Sequence, residues 1–295
     1  MTRRGLLLFA VMCVIWGVPY YFIRIAVGEL TPATLVLFRT GGAALILLPV
    51  AIARGELRSL AAHWLPLVGF AAVEIGIPWL LLASAEERLS SSLTGLLIAA
   101  VPLVGVLISL KLGTREGFGR PGIAGLLLGL AGVAAIVGLD LHATSVAALA
   151  EVGAVAVGYA VGPAILARYL ADLPAVAVIA VSLALCAVVY APVAAFQLPH
   201  ALPRAGVIAS VVMLAVICTA LAFVLFFALI AEVGPVRATV ITYINPAVAA
   251  VLGVAALGER FTVGMGIGFV LVLAGSALAT RRPREPAESP ELRYS

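Results

Sequence analysis

WGVPYYFIR, residues 16–24, places a proline and an arginine five positions apart inside an apolar run, and VGPAILAR, residues 161–168, does the same. Proline removes a backbone donor and presses on the preceding turn, so its place inside a helix needs a reason. Pro19 and Pro163 lie 144 positions apart, as do Arg24 and Arg168. Pro102 in LLIAAVPLVGVL and Pro246 in VITYINPAVAAVL repeat that distance, and LGTRE at 112 recurs as LGERF at 257. The chain reads as two related halves.

Composition says what the halves are made of. Of 295 residues, 64% are hydrophobic and 11% charged, and the mean hydropathy is +1.21. A soluble domain of this size needs far more charge to cover its surface. Apolar runs of about 20 residues, each long enough to cross a bilayer, recur from end to end. Ten spans follow: Gly5–Val27, Ala33–Ala53, Trp64–Ala83, Ser92–Leu112, Pro121–Leu139, Val146–Leu166, Ala175–Phe196, Val207–Ile230, Val236–Leu257 and Thr262–Thr280. The first is expected to be retained and not cleaved as a signal peptide, because a similar segment recurs in mid-chain. The fold expected is an all-α polytopic membrane protein of ten transmembrane helices. Its first five-helix repeat is residues 1–140, its second 141–280, and residues 281–295 form a polar, proline-rich tail expected to be disordered.

Charge sets an orientation. With the N-terminus cytoplasmic, 13 of the 18 Lys and Arg fall on the inside and only Arg88, Arg204 and Arg260 outside. That bias obeys the positive-inside rule, placing both termini in the cytoplasm and the Glu86–Ser90 loop outside. The net charge of +4 is then a matter of topology and points to no nucleic-acid partner. An odd number of spans per repeat inverts the second half relative to the first, the pseudo-symmetry by which secondary transporters open alternately to each side.

In this order and repetition the motifs resemble the EamA family of the drug/metabolite transporter superfamily. They are Trp16-Gly17 with Arg24, the stretch from Thr31-Pro32 to Phe38-Arg39, and Pro102 followed by Leu112-Gly113. In the second half they are Asn245-Pro246 followed by Leu257-Gly258-Glu259-Arg260. The resemblance implies ten helices, as two inverted five-helix repeats, around a central cavity, and export or exchange of small metabolites in the cell membrane. Helix 7 has no arginine matching Arg39, so the halves are not expected to contribute alike.

Glu74 lies near the middle of the third span, where a carboxylate costs on the order of 2.5–3.5 kcal/mol even on insertion scales. It reads as a proton or substrate site, with a structural hydrogen bond as the plainer alternative. Cys218, beside Thr219, is its counterpart in the second half. Trp16, Tyr20 and Arg24 follow at i, i+4 and i+8, and Thr239, Tyr243 and Pro246 form a second stripe next to Asn245. Both stripes, with Tyr159, are candidate cavity lining. Glu151 reads as a solvated mouth residue. Arg24 and Arg39 read as anchors snorkelling outward, with charge pairing as the alternative. Pro19, Pro78, Pro102, Pro163 and Pro246 are expected kinks that turn free carbonyls toward protein or water. Gly125-x-x-x-Gly129 and Gly264-x-x-x-Gly268 are close-packing faces, within one chain or, alternatively, in a homodimer.

Three isolated histidines, three scattered cysteines and no phosphate loop point to no metal, cofactor or direct ATP drive. The reading is a secondary transporter of small organic metabolites such as amino acids or drug-like amphipathic solutes, with protons as the candidate coupling ion. A passive channel, or an intramembrane enzyme or sensor, is the alternative.

Overall fold

The computed structural model describes residues 2–111, 120–138 and 145–280; the Leu112-Gly113 motif, His142, the repeat boundary at 140 and the tail from 281 lie outside them. Among the described residues every regular element is helical. Nine helices among the described residues are long and apolar enough to cross a membrane: α1 (Arg3–Ala26), α2 (Pro32–Ala53), α3 (Glu56–Glu86), α4 (Ser91–Lys111), α6 (Val146–Tyr169), α7 (Ala175–Ala195), α8 (Ala205–Val233), α9 (Thr239–Leu257) and α10 (Val263–Thr280). Between them α5 (Arg120–Gly138) contains a shorter apolar stretch, Pro121–Val137. Leu45, Val146, Phe196 and Val263 stand exposed on the outer surface, which suits lipid and not water.

Packing follows the repeat. α5 lies along α10, α2 along α7 and α4 along α9, each a pair of equivalent helices, and the α3–α6 contact is matched by α8 against α1. Lipid tails are as apolar as leucine, so helices in a bilayer associate through close van der Waals fit, and small residues permit it. A Cβ at Gly132 would come within 2.7 Å of the Gly268 carbonyl oxygen, and one at Gly275 would meet the backbone of Gly125 and Gly129. The glycine faces of α5 and α10 thus pack on each other within the chain. Across α2 and α7 the seam is mostly small aliphatic: Ala43, Ala44, Leu47 and Ala51 against Ala177, Val178, Ala180 and Leu183.

Four of the five marked prolines sit where the helix ladder changes. α1 breaks into Arg3–Ile15 and Pro19–Ala26, and Ser91–Ile98 gives way to Val101–Lys111 just before Pro102. The start of α9 is a 3₁₀ turn, Thr239–Tyr243, and Asn245–Leu257 follows with Pro246 in its first turn. Ahead of Pro78 lies a π-helical stretch, Ala71–Gly76. α8 carries its equivalent, Met213–Leu221, although no proline follows there. Pro163 differs: α6 runs unbroken from Val146 to Tyr169, with Pro163 inside it. Carbonyls loosened by the wide turn in α3 find partners on α7. The Tyr190 hydroxyl donates to the Gly76 oxygen at 3.0 Å and the Cys186 thiol to the Ala71 oxygen at 3.4 Å. Buried backbone in lipid requires such satisfaction.

Candidate functional site

Where the halves meet, Arg39 of α2 is 7% exposed. Its Nε donates to Thr219 Oγ1 of α8 at 3.1 Å, and its guanidinium carbon lies 3.6 Å from the centroid of the Trp79 ring of α3. The outward snorkel expected for Arg39 is therefore wrong. Eight residues into α2 the side chain turns inward, because a planar cation can stack on an indole and reach a hydroxyl there. Cation–π contact away from water is worth about 2 kcal/mol or more. None of the ion pairs among the described residues includes Arg39. The titratable groups within electrostatic reach are Tyr159, Cys218, Tyr20 and Glu86.

Glu74 sits in the π-helical stretch of α3 and presses on α6. A Cβ at Gly162 would lie 2.8 Å from Glu74 Cβ and 3.0 Å from its carboxyl carbon, so only glycine leaves room for the carboxylate. One turn earlier, Gly158 admits Pro78, whose Cγ would be 2.7 Å from an added Cβ. Glu74 Oε2 is buried with no hydrogen-bond partner, and Tyr159, next to Gly158 and three residues before Gly162, lies within reach of Glu74, Arg39 and the Trp79 indole. The structural hydrogen bond that was the plainer alternative for Glu74 is not formed by this oxygen.

The expected stripes do not hold as single faces. A break at Trp16–Val18 rotates α1, so Trp16 packs on Phe223 and Phe226 of α8, with centroids 5.8 and 4.6 Å away. Tyr20, 7% exposed, falls instead in the central cluster with Leu82, Val155 and Cys218. Likewise the 3₁₀ turn in α9 gives Thr239 and Tyr243 a three-residue period, which takes them off a common face with Pro246. Asn245 is buried, and with its amide oriented to satisfy both groups it donates to the carbonyls of Cys13 at 3.0 Å and Ile241 at 2.9 Å. The Cys13 carbonyl is left over because the Gly17 N–H turns back to Val14. Asn245 thus ties together two broken helices.

At the end of the bundle that the charge bias assigns to the outside, a cleft of about 510 Å³ opens between Arg24, Arg88, Ser90, Arg204 and Glu259. Each charged group here has a partner. Arg88 Nη2 donates to Glu151 Oε2 at 2.5 Å and Ser84 Oγ to Oε1 at 3.1 Å, while Arg204 pairs with Glu29 through guanidinium and backbone N–H. Those donors hold the Glu29 carboxyl below its ordinary range, so the tie is complete at neutral pH and is lost as acid protonates Glu29. Glu259, from the LGER motif, accepts from the backbone N–H of Ser91 and Ser92, both at 2.8 Å, and from Ser92 Oγ at 2.5 Å. A carboxylate suits the positive end of α4. Gly258, at φ +66, makes the left-handed turn that brings it there.

Sequence reading missed Glu86. It stands in EERLSS, which marks a break between spans, yet it is the last residue of α3 and is fully buried. Both its carboxylate oxygens are without partners, and Arg24 Nη1 donates at 2.7 Å to its backbone carbonyl, not to the carboxylate. A charged dipeptide at the end of an apolar run looks solvated; only the packing of α1, α4 and α6 over it shows otherwise. Among the described residues no group of histidine, cysteine and carboxylate side chains is placed to hold a metal ion.

A family model described as the EamA-like transporter family matches residues 3–138 and 149–281, one match to each half. Among the curated proteins nothing matches. A solved structure described only as "Crystal structure of protein" is similar over 95% of this chain and 97% of its own, at a TM-score of 0.66 and 22% identity. That likeness concerns the fold alone.

Proposed function

Since the chain belongs to the EamA-like transporter family, and so is a multi-pass membrane transporter of the drug/metabolite superfamily, we propose that it is a secondary carrier. It exports or exchanges small amphipathic metabolites, with both termini in the cytoplasm. The single observation that supports this most is the buried centre: a cation, Arg39, and a carboxylate, Glu74, that do not pair with each other, with Tyr159 in electrostatic reach of both and Trp79, Tyr20 and Thr219 close by. Buried charges are normally paired or solvated. Here each has capacity left for a solute with polar ends, and the aromatic rings suit its apolar part.

Alternating access is favoured by the repeat and by helix breaks in α1, α4 and α9 beside the centre, where a small backbone change moves a whole half-helix. Coupling to protons through Glu74 completes the reading. The test is counterflow in proteoliposomes, screening amino acids and drug-like amphiphiles identified first by thermal stabilisation of the purified protein. A carrier accelerates uptake of labelled solute when unlabelled solute is inside. Uptake indifferent to the trans solute would establish a channel and overturn the reading.

A further inference from the structure

Glu86 is the most poorly compensated group described in this protein. Fully buried, it holds two carboxylate oxygens without a hydrogen bond, and it lies behind the cleft without lining it. The charged and titratable groups that face it are Arg24 and Tyr20 from α1, Arg39 from α2, Tyr159 from α6 and Glu259 from the α9–α10 turn; Arg88 follows it on its own chain segment. None is committed to its carboxylate. Arg24 donates to the backbone carbonyl, Arg39 to Thr219, Arg88 to Glu151 and Ser84, and Glu259 adds a like charge fixed at the start of α4. An ionised carboxylate in that position is a buried, unpaired ion, whereas a carboxylic acid is tolerated. Arg24 lines the cleft and donates to the backbone carbonyl of the same residue, which makes it the cation nearest in reach of a released carboxylate.

We propose that Glu86 is a proton-binding gate group: it carries a proton while α1 and α4 close over it, and it releases that proton when the cleft opens. In the release step the carboxylic O–H bond breaks and the proton passes to water in the cleft. The electron pair stays on the carboxylate, and Arg24, cationic throughout, becomes its partner. Ionised Glu86 therefore favours the open cleft, and protonated Glu86 the closed one. This deepens the carrier reading and rests on it, giving the transport cycle a second coupling carboxylate at the mouth in addition to Glu74 at the centre.

The test needs no transported solute, so its failure is separate from failure of the carrier reading. Ile25, which lines the cleft, is replaced by cysteine, and its modification by a maleimide is timed in nanodiscs from about pH 5 to about pH 9, a window spanning shifted carboxyl groups. The native cysteines are all buried and stay silent. Leu202→Cys, at a position 88% exposed, corrects for the thiol's own ionisation. The corrected rate should rise several-fold with pH along a single titration in the wild-type background. In Glu86→Gln it should stay at the low-pH rate throughout, and in Glu86→Asp the rise should return at a shifted midpoint. Arg24→Gln, which leaves the ionised carboxylate without its partner, should move the midpoint to higher pH. A flat profile in the wild-type background, or a Glu86→Gln profile that still rises, overturns the proposal; so does an Arg24→Gln midpoint that does not move.

Discussion

Gly162→Ala places one methyl group between α3 and α6, and the structure says where it lands. It would lie 2.8 Å from Glu74 Cβ and 3.0 Å from the carboxyl carbon, with Oε2 closer still. Neither helix can yield easily. One turn earlier Gly158 already holds Pro78 and the Val73 carbonyl at their limit, which pins α3 against α6. Overpacking a fitted contact costs about 1–3 kcal/mol. Relief requires the carboxylate to swing out, which also takes it from Tyr159. Gly162→Ala is therefore expected to lower thermal stability and to cut transport at least tenfold, the equivalent of ~1.4 kcal/mol. Gly153→Ala, on the same helix with open space around its Cβ, should be silent. A double-mutant cycle identifies the cause. In a Glu74→Ala background the carboxyl contacts are gone and only the Cβ–Cβ contact remains, so the added methyl should cost roughly half as much. Differential scanning fluorimetry of the four proteins measures this. Equal penalties in both backgrounds would show that Glu74 does not sit over Gly162.

Other outcomes follow from the same geometry. Glu74→Gln keeps the size of the side chain and fixes it neutral, so it should abolish concentrative, pH-dependent transport yet retain exchange, seen as counterflow without net accumulation. Arg39→Lys keeps the charge but not the planar stack on Trp79 or the fork that reaches Thr219; transport should drop at least tenfold by initial rates, and a wild-type rate would remove Arg39 from the site. Pro102→Ala and Pro246→Ala should each slow transport with expression unchanged, while Pro163→Ala, inside an unbroken α6, should have little effect. Glu259→Ala removes the cap of α4 and is expected to cost about 1–2 kcal/mol of stability, measured by thermal unfolding, with Glu259→Gln recovering part of it.

Hydropathy and spacing alone determined the class of fold. Apolar length is a local property, and a bilayer turns it directly into a spanning helix; the spacing between Pro19 and Pro163, or Pro102 and Pro246, likewise reveals the repeat without any coordinates. Glu74 was legible for the same reason, since a lone carboxylate in an apolar run stands out whatever surrounds it. The tertiary structure alone decided the fate of charges near span ends. Arg39 and Glu86 both have sequence neighbours compatible with water, yet α8 and α3 enclose the first while α1, α4 and α6 cover the second. It also decided which residues share a face. Helical spacing fixes a face only while the ladder is regular, and the break before Pro19, the 3₁₀ turn before Pro246 and the π-helical stretch around Glu74 each reset it. Whether a proline breaks a helix or, like Pro163, rides inside one depends on the packing around its freed carbonyl, and that is set by helices far away in sequence.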